Sequence, residues 1–124
     1  RLGDARSFLE LTDRFNYLPN VFNHLPDVGV MAFDDLMFVG DVQFSRKHYG
    51  SAHDFYITAA EVRPDDAYSR FKVGRAWFEQ GYAKYAIRQF HRAIKLDPGF
   101  AEARYHIGLC LEVLDGKKAL KRLR

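Results

Sequence analysis

The chain has 124 residues, of which 48% are apolar, including 11 Phe and 7 Tyr; this composition is sufficient for a packed core and excludes a disordered chain. The single cysteine, Cys110, excludes an internal disulfide. The sequence contains no run of about eighteen apolar residues, so no membrane-spanning helix is predicted. The net charge of +3 is unevenly distributed: residues 1–66 hold 6 basic and 11 acidic side chains, a net −5, whereas residues 67–100 hold 7 and 2, a net +5.

The region 1–32 does not align with the rest of the chain. It contains a predicted amphipathic helix over residues 7–18, whose apolar side is formed by Phe8, Leu11, Phe15 and Leu18. We expect this region to be an N-terminal capping helix for the segment that follows, because the open end of a repeat array needs a cover. A decayed repeat, or the last helix of a repeat further upstream, are the alternatives. The chain begins with Arg1, and we expect it to be a fragment of a longer protein.

The region 33–124 repeats with a period of 34 residues. Chemically equivalent residues align at this shift: Gly40 with Gly74 and Gly108, Val39 with Val73 and Ile107, Ala52 with Ala86, Tyr56 with Phe90, Ala59 with Ala93, and Pro64 with Pro98. A period of this length is typical of helical hairpins that stack on copies of themselves.

The middle unit shows how one hairpin is built. Residues 68–79 predict a first helix and residues 83–96 a second, with Gly81 at the turn, where positive φ is needed. Asp65 or Asp66 is placed to cap the first helix. The small residues Gly74 and Ala86 predict a close approach of the two helices. Apolar residues predict the contacts around it, and these are Val73, Trp77, Ile87, Phe90 and Ile94.

These residues resemble the tetratricopeptide repeat (TPR) family, whose units have the same length. The unit 67–100 matches a Leu-Gly pair, a following aromatic, an alanine with an aromatic four residues later, and a terminal proline. The matching residues are Val73-Gly74, Trp77, Ala86 with Phe90, and Pro98. The unit 33–66 departs from the family pattern at Gln43, where an aromatic is usual, and at Lys47, where glycine is usual; we expect a distorted turn at Lys47.

The resemblance implies an all-α fold, a right-handed superhelix or solenoid of about three helical hairpins. The units are 33–66, 67–100 and 101–124. In the last unit the pattern slips near Gly116, so we expect its second helix to be shortened or to continue in a longer chain. We expect the apolar residues of the basic segment 117–124 to pack inward as part of that helix, and Leu111 and its apolar neighbours to be partly uncovered.

The resemblance also implies a non-catalytic protein–protein interaction module, an adaptor or scaffold in the cytoplasm. Its first helices would line a concave groove that binds a peptide or helix of a partner. The side chains expected in this groove are Met37, Phe38, Asp41, Phe44, Tyr68, Phe71, Lys72, Arg75, Phe78, Tyr105 and His106. Lys72 and Arg75 would bind carboxylates or carbonyls while the rings supply contact area. The alternative for each ring is that it packs between adjacent hairpins.

The residues present argue against several other functions. No phosphate-binding loop or nucleophile motif occurs, and no histidine belongs to a zinc pattern, so we expect no enzyme, cofactor or metal. Capture of a chaperone-tail carboxylate is disfavoured because Asp41 and Glu102 would repel it. Nucleic acid is not expected, since the basic segment 117–124 lacks interleaved aromatics. The alternative functions are a self-assembling unit with head-to-tail contacts and a docking or regulatory module of a larger enzyme.

Overall fold

A computed structural model describes residues 32–123. The secondary structure of this part of the chain consists of helices without strands. In chain order the helices are α1 (Phe33–Ser45), α2 (Tyr49–Val62), α3 (Ala67–Glu79), α4 (Ala83–Leu96) and α5 (Ala101–Arg122). Each helix packs against the next, which confirms the predicted all-α helical solenoid. The predicted capping helix over residues 7–18 lies outside the described residues.

The two hairpins, α1–α2 and α3–α4, turn with the same backbone hydrogen bonds. The amide of Lys47 donates to the carbonyl of Phe44 at 2.9 Å, and the amide of Gly81 donates to the carbonyl of Phe78 at 3.0 Å. Lys47 adopts φ 64° and Gly81 φ 90°. The turn at Lys47 therefore keeps the geometry of the glycine turn, and the expectation that it would be distorted is wrong. The lysine occupies a left-handed backbone conformation that glycine adopts at lower cost.

Each hairpin closes by placing an aromatic ring against a glycine. A β-carbon at Gly40 would lie 2.6 Å from the ring of Tyr56, and one at Gly74 would lie 2.6 Å from the ring of Phe90. Both rings are fully buried. The predicted close approach at Gly74 is confirmed, and it occurs because the second helix inserts a ring where the first helix has no side chain.

Helix α3 belongs to two adjoining cores. Val73 packs with α1 and α2 in the first core, whereas Phe71 packs with α4 and α5 in the second. Asp66 is the N-cap residue of this helix, and its side chain accepts a hydrogen bond from the Ser69 amide at 2.8 Å. It is one of the two residues predicted for this role. Cys110 is buried in the second core, and burial raises the pKa of its thiol to about 11, as suits a structural residue.

The third unit departs from the prediction. Helix α5 runs without a break through Gly116, so the expected second helix is absent from residues 101–122. Apart from Gly116, the residues from 112 to 122 favour helix over a turn, and no described helix packs on the end of α5 to favour a hairpin. Leu120 and Leu123 are exposed, so the expected inward packing is wrong. The expected exposure of Leu111 is confirmed.

Candidate functional site

The first helices of the units, α1, α3 and α5, contact one another directly along the array. The ammonium of Lys72 on α3 lies 3.1 Å from Oδ1 of Asp41 on α1. On the other side of α3, the ring centroids of Phe71 and His106 are 5.1 Å apart. We call the side of α1, α3 and α5 that carries most of the predicted groove residues the first-helix face. It comprises Phe38, Asp41, Phe44, Tyr68, Lys72, Arg75 and Tyr105.

A polar cluster lies at the junction of α1, α2 and α3, with Tyr56 buried and the side chain of Asp41 48% exposed. The hydroxyl of Tyr56 on α2 donates to Oδ1 of Asp41 at 2.6 Å, and the same oxygen pairs with Lys72. Burial, followed by the hydrogen bond and negative charge of Asp41, raises the pKa of the Tyr56 phenol above its usual range. The hydroxyl is therefore a permanent donor, and Asp41 receives two donors from two different helices.

Lys72 is held inside this cluster rather than presented to solvent. Its side chain is 14% exposed, and its ammonium lies 5.8 Å from the ring centroid of Phe44, 5.6 Å from that of Tyr56 and 5.5 Å from that of Tyr68. Rings at such distances stabilise a cation. Because Asp41 already neutralises the ammonium, the primary role of Lys72 is to join α1 to α3.

Arg75 is the cation on this face with unused hydrogen-bonding capacity. Its guanidinium lies over the ring of Phe44, 4.9 Å from the centroid. Its Nε atom is buried and has no hydrogen-bond partner among the described residues. A buried donor without a partner is costly, so an acceptor that reached Arg75 would gain a charged hydrogen bond.

Each first helix also exposes one aromatic ring. Phe38 on α1 is 39% exposed, Tyr68 on α3 is 46% exposed and Tyr105 on α5 is 65% exposed. Aromatic rings supply large contact areas with few torsions to restrict. Together with the side chain of Asp41, which is 48% exposed, these three rings are the exposed side chains of the first-helix face, and Arg75 is partly exposed beside them.

The remaining predicted groove residues are wholly or partly packed inside. Met37 and Phe71 are buried at 7% and 1% exposure, and Phe71 packs in the second core with residues of α4 and α5. Phe78 is half-buried against the second core. His106 is half-buried too, and its Nδ1 lies 2.8 Å from the carbonyl of Glu102.

Sequence reasoning missed Tyr56 as part of the site. The repeat aligns it with Phe90, which suggested a packing role alone. The signal was the extra hydroxyl, because a buried phenol requires a hydrogen-bond partner, and Asp41 was the acceptor already assigned to the inner face.

Two further kinds of site were sought in residues 32–123. This part of the chain holds no cluster of three or more His, Cys, Asp or Glu side chains that could bind a metal ion. None of its helices combines the length and the apolar character needed to cross a bilayer.

The chain is similar to proteins that bind other proteins. It is 30% identical to the peroxisomal targeting signal receptor of Eremothecium gossypii over 109 residues, 82% of this chain and 18% of that receptor. Its identity to the Kluyveromyces lactis receptor of the same name is 28% over 104 residues, 78% of this chain and 18% of the receptor. It is also 34% identical to mouse superkiller complex protein 3 over 82 residues, 66% of this chain and 5% of that protein.

No family model matches the chain. The low-identity relatives and the paired helices support the tetratricopeptide repeat resemblance, and a receptor and a complex subunit support a protein-binding role. The chain spans less than a fifth of the length of these relatives.

Proposed function

We propose that the chain is a non-catalytic interaction module of the tetratricopeptide repeat type, which binds a peptide or a helix of a partner protein along the first-helix face. The observation that supports this most directly is the partly exposed Arg75, whose Nε has no hydrogen-bond partner among the described residues, on the helix that also exposes Tyr68. A protein-binding site typically combines such a donor with rings that exclude water around it.

The chemistry of the face favours a peptide with a carbonyl or carboxylate that accepts from Arg75. Apolar side chains of the peptide would pack on Tyr68 and Tyr105, which lie on neighbouring first helices. Asp41 would not repel a carboxylate strongly, because Lys72 and the Tyr56 hydroxyl both bind its Oδ1. The direction in which the peptide binds along the face therefore depends on Arg75 rather than on Lys72.

The names of the relatives suggest which peptides to try. A receptor for a peroxisomal targeting signal recognises a segment of another protein, and a C-terminal Ser-Lys-Leu is one such signal. Peptides with this ending are therefore one probe, and a library of random peptides is the second. Selection of the Ser-Lys-Leu ending would extend the proposal to targeting signals.

The test is a selection of displayed peptides on the immobilised chain, followed by fluorescence anisotropy of the enriched sequences. We expect Arg75→Gln and Tyr68→Ala each to weaken binding by about tenfold or more, as at central positions of an interface. Lys118→Gln on the exposed end of α5 is the control and should bind as the unaltered chain does. Failure to enrich any sequence, or equal affinity of the Arg75→Gln and Lys118→Gln variants, would refute the proposal.

A self-assembling structural unit is the second candidate. It is favoured by the apolar residues that α5 leaves exposed, of which Leu111 is 49%, Val113 40%, Leu120 63% and Leu123 84% exposed. Exposed apolar residues grouped on one helix can pack against a second copy of the chain. A cytoplasmic location and a place beside an enzyme in a longer protein stay predictions.

A further inference from the structure

Helix α4 carries a row of cations on its solvent side. Lys84, Arg88, Arg92 and Lys95 follow one another at intervals of 4, 4 and 3 residues, which places them on one side of a helix. All four residues are exposed. Helix α4 contains no Asp or Glu, so no carboxylate of its own offsets this row.

Helix α3 adds a fifth cation to the row. Arg70 is half-buried and lines one cleft together with Arg92, Lys95 and the apolar Leu96. Burial, followed by the positive charge of Arg92, lowers the pKa of Arg70, and Glu61 on α2 offsets part of this effect. The fold therefore holds two guanidinium groups close enough to repel each other. A carboxylate placed between them would relieve that repulsion.

A second cleft opens at the other end of the row. It has a volume of about 430 Å³ and is lined by Tyr82, Tyr85, Arg88, Leu114 and Lys117, among others. Tyr82 is 50% exposed and Tyr85 47% exposed. Among residues 32–123, no carboxylate lines either this cleft or the cleft at Arg70. An apolar anchor therefore fits at one end of the row and a run of carboxylates along it.

We propose that this surface is a second binding site, which takes an acidic segment of a protein partner. The basic face is defined as Arg70, Lys84, Arg88, Arg92 and Lys95. The segment would carry Asp or Glu about one helical turn apart, matching the cations at about 6 Å intervals, and an aliphatic or aromatic residue for the cleft at Tyr82 and Tyr85. Four of its five cations lie on α4, a second helix of the array, and Arg70 on α3 is not one of the residues of the first-helix face, so the two sites are separate.

The details of the surface favour a protein over other polyanions. The rings of Tyr82 and Tyr85 contact each other with centroids 5.9 Å apart and a tilt of 43°, and both also contact Trp77. They leave no parallel platform on which successive bases could stack. Between Arg88 and Lys95 the solvent side of α4 carries His91 rather than a large apolar residue. The exposed Tyr82, Tyr85 and Leu96 lie towards the two ends of the row and do not form the continuous apolar side that a helix lying in a lipid layer needs.

The test measures anisotropy of a fluorescein-labelled peptide of about 16 residues, with Glu at each helical turn and Leu at one end, in about 150 mM salt. We expect Arg88→Glu with Arg92→Glu to weaken its binding by about tenfold or more. Lys121→Glu with Arg122→Glu makes the same charge change at the exposed end of α5 and should change affinity by no more than about twofold.

Checks of the fold, of the peptide charge and of other polyanions complete the test. Circular dichroism checks the fold, and Arg88→Gln with Arg92→Gln replaces the first variant if the charge reversal unfolds the chain; it should also weaken binding. A peptide with Gln in place of every Glu should bind more weakly than the acidic peptide. Equal binding of the two peptides, equal effects of the two charge reversals, or tighter binding of single-stranded DNA or phosphatidylserine vesicles at Arg88 and Arg92 would overturn the proposal.

Discussion

In hairpin α1–α2 the fully buried Gln43 lies against His48, with Oε1 of the amide 3.0 Å from Nδ1 of the imidazole. In hairpin α3–α4 the aligned positions hold Trp77 and Tyr82, whose ring centroids are 5.5 Å apart in an edge-to-face arrangement. The backbone of the turn is the same in both. The His48 amide donates to the carbonyl of Gln43 at 2.9 Å, and the Tyr82 amide donates to the carbonyl of Trp77 at 3.0 Å. A polar pair and an aromatic pair thus support one turn.

This difference separates what the hairpin requires from what it tolerates. It tolerates a change of chemistry at the turn, although the Nε2 of Gln43 is left without a hydrogen-bond partner among the described residues. It requires a glycine opposite an aromatic ring, because both hairpins place a ring where a β-carbon would be 2.6 Å away. Substitutions at the glycines should therefore have larger effects than substitutions at the turns.

The largest effect is expected at the two glycines. Gly40→Ala and Gly74→Ala would each force a β-carbon against a buried ring, and overpacking of this kind costs about 1–3 kcal/mol. Gly108 has open space at the same position of the repeat, so Gly108→Ala should instead stabilise helix α5 by about 0.5–1 kcal/mol. Urea unfolding measures all three variants. Equal stability of Gly74→Ala and Gly108→Ala would contradict the packing described for Phe90.

The rings opposite the glycines differ by one hydroxyl, and Tyr56→Phe makes the first hairpin like the second. Loss of the hydrogen bond to Asp41 should cost about 1 kcal/mol at pH 7. The folded pKa of Tyr56 lies above its unfolded value of about 10, so its contribution is complete below pH 10 and is lost as the pH rises further. From pH 9 to 11 the unaltered chain should lose about 1 kcal/mol more than Tyr56→Phe.

Urea unfolding of both chains at pH 9 and pH 11 checks this pH dependence. The comparison relies on the difference between the two chains, because every other ionisable group is common to both. An identical loss in both would show that Tyr56 ionises in the folded chain without penalty.

The two turns provide the next comparison, because the same backbone conformation holds a lysine in one and a glycine in the other. Lys47→Gly should stabilise the chain by about 0.5–1 kcal/mol, since glycine adopts positive φ without the steric cost of a β-carbon. Gly81→Lys should destabilise it by a similar amount. Thermal unfolding followed by circular dichroism measures both changes, and shifts of the same sign would argue against a shared turn geometry.

The local parts of the fold were predictable from the sequence, whereas contacts between distant helices were not. The helix predicted over residues 83–96 is α4, because Gly81 and Pro98 mark its limits through backbone restrictions that act on neighbouring residues. The pairing of Lys72 with Asp41 depends on side-chain reach between two helices, about which the repeat period says nothing. The unbroken α5 was missed for a related reason: whether Gly116 turns depends on a packing partner, not on glycine alone.

The smallest effect is expected from the charge difference between the hairpins. Residues 33–66 hold 3 basic and 7 acidic side chains, whereas residues 67–100 hold 7 and 2. Head-to-tail association through these charges should be weak, and it should weaken further between about 50 and 500 mM salt. Association through the exposed Leu120 and Leu123 should instead persist or increase. Light scattering at several concentrations distinguishes the two, and a monomer at every salt concentration would exclude both.

The position of Asp41 has a consequence for how the array opens. Its Oδ1 accepts a hydrogen bond from the hydroxyl of Tyr56 on α2, within the first hairpin. The same oxygen pairs with the ammonium of Lys72 on α3, in the second hairpin. Separating α1 from α2 would therefore also leave Lys72 buried without its counter-ion, and such a charge is costly. The slowest-exchanging amides of α1, α2 and α3 should then show one common free energy of opening in hydrogen–deuterium exchange, as a single cooperative unit rather than hairpin by hairpin.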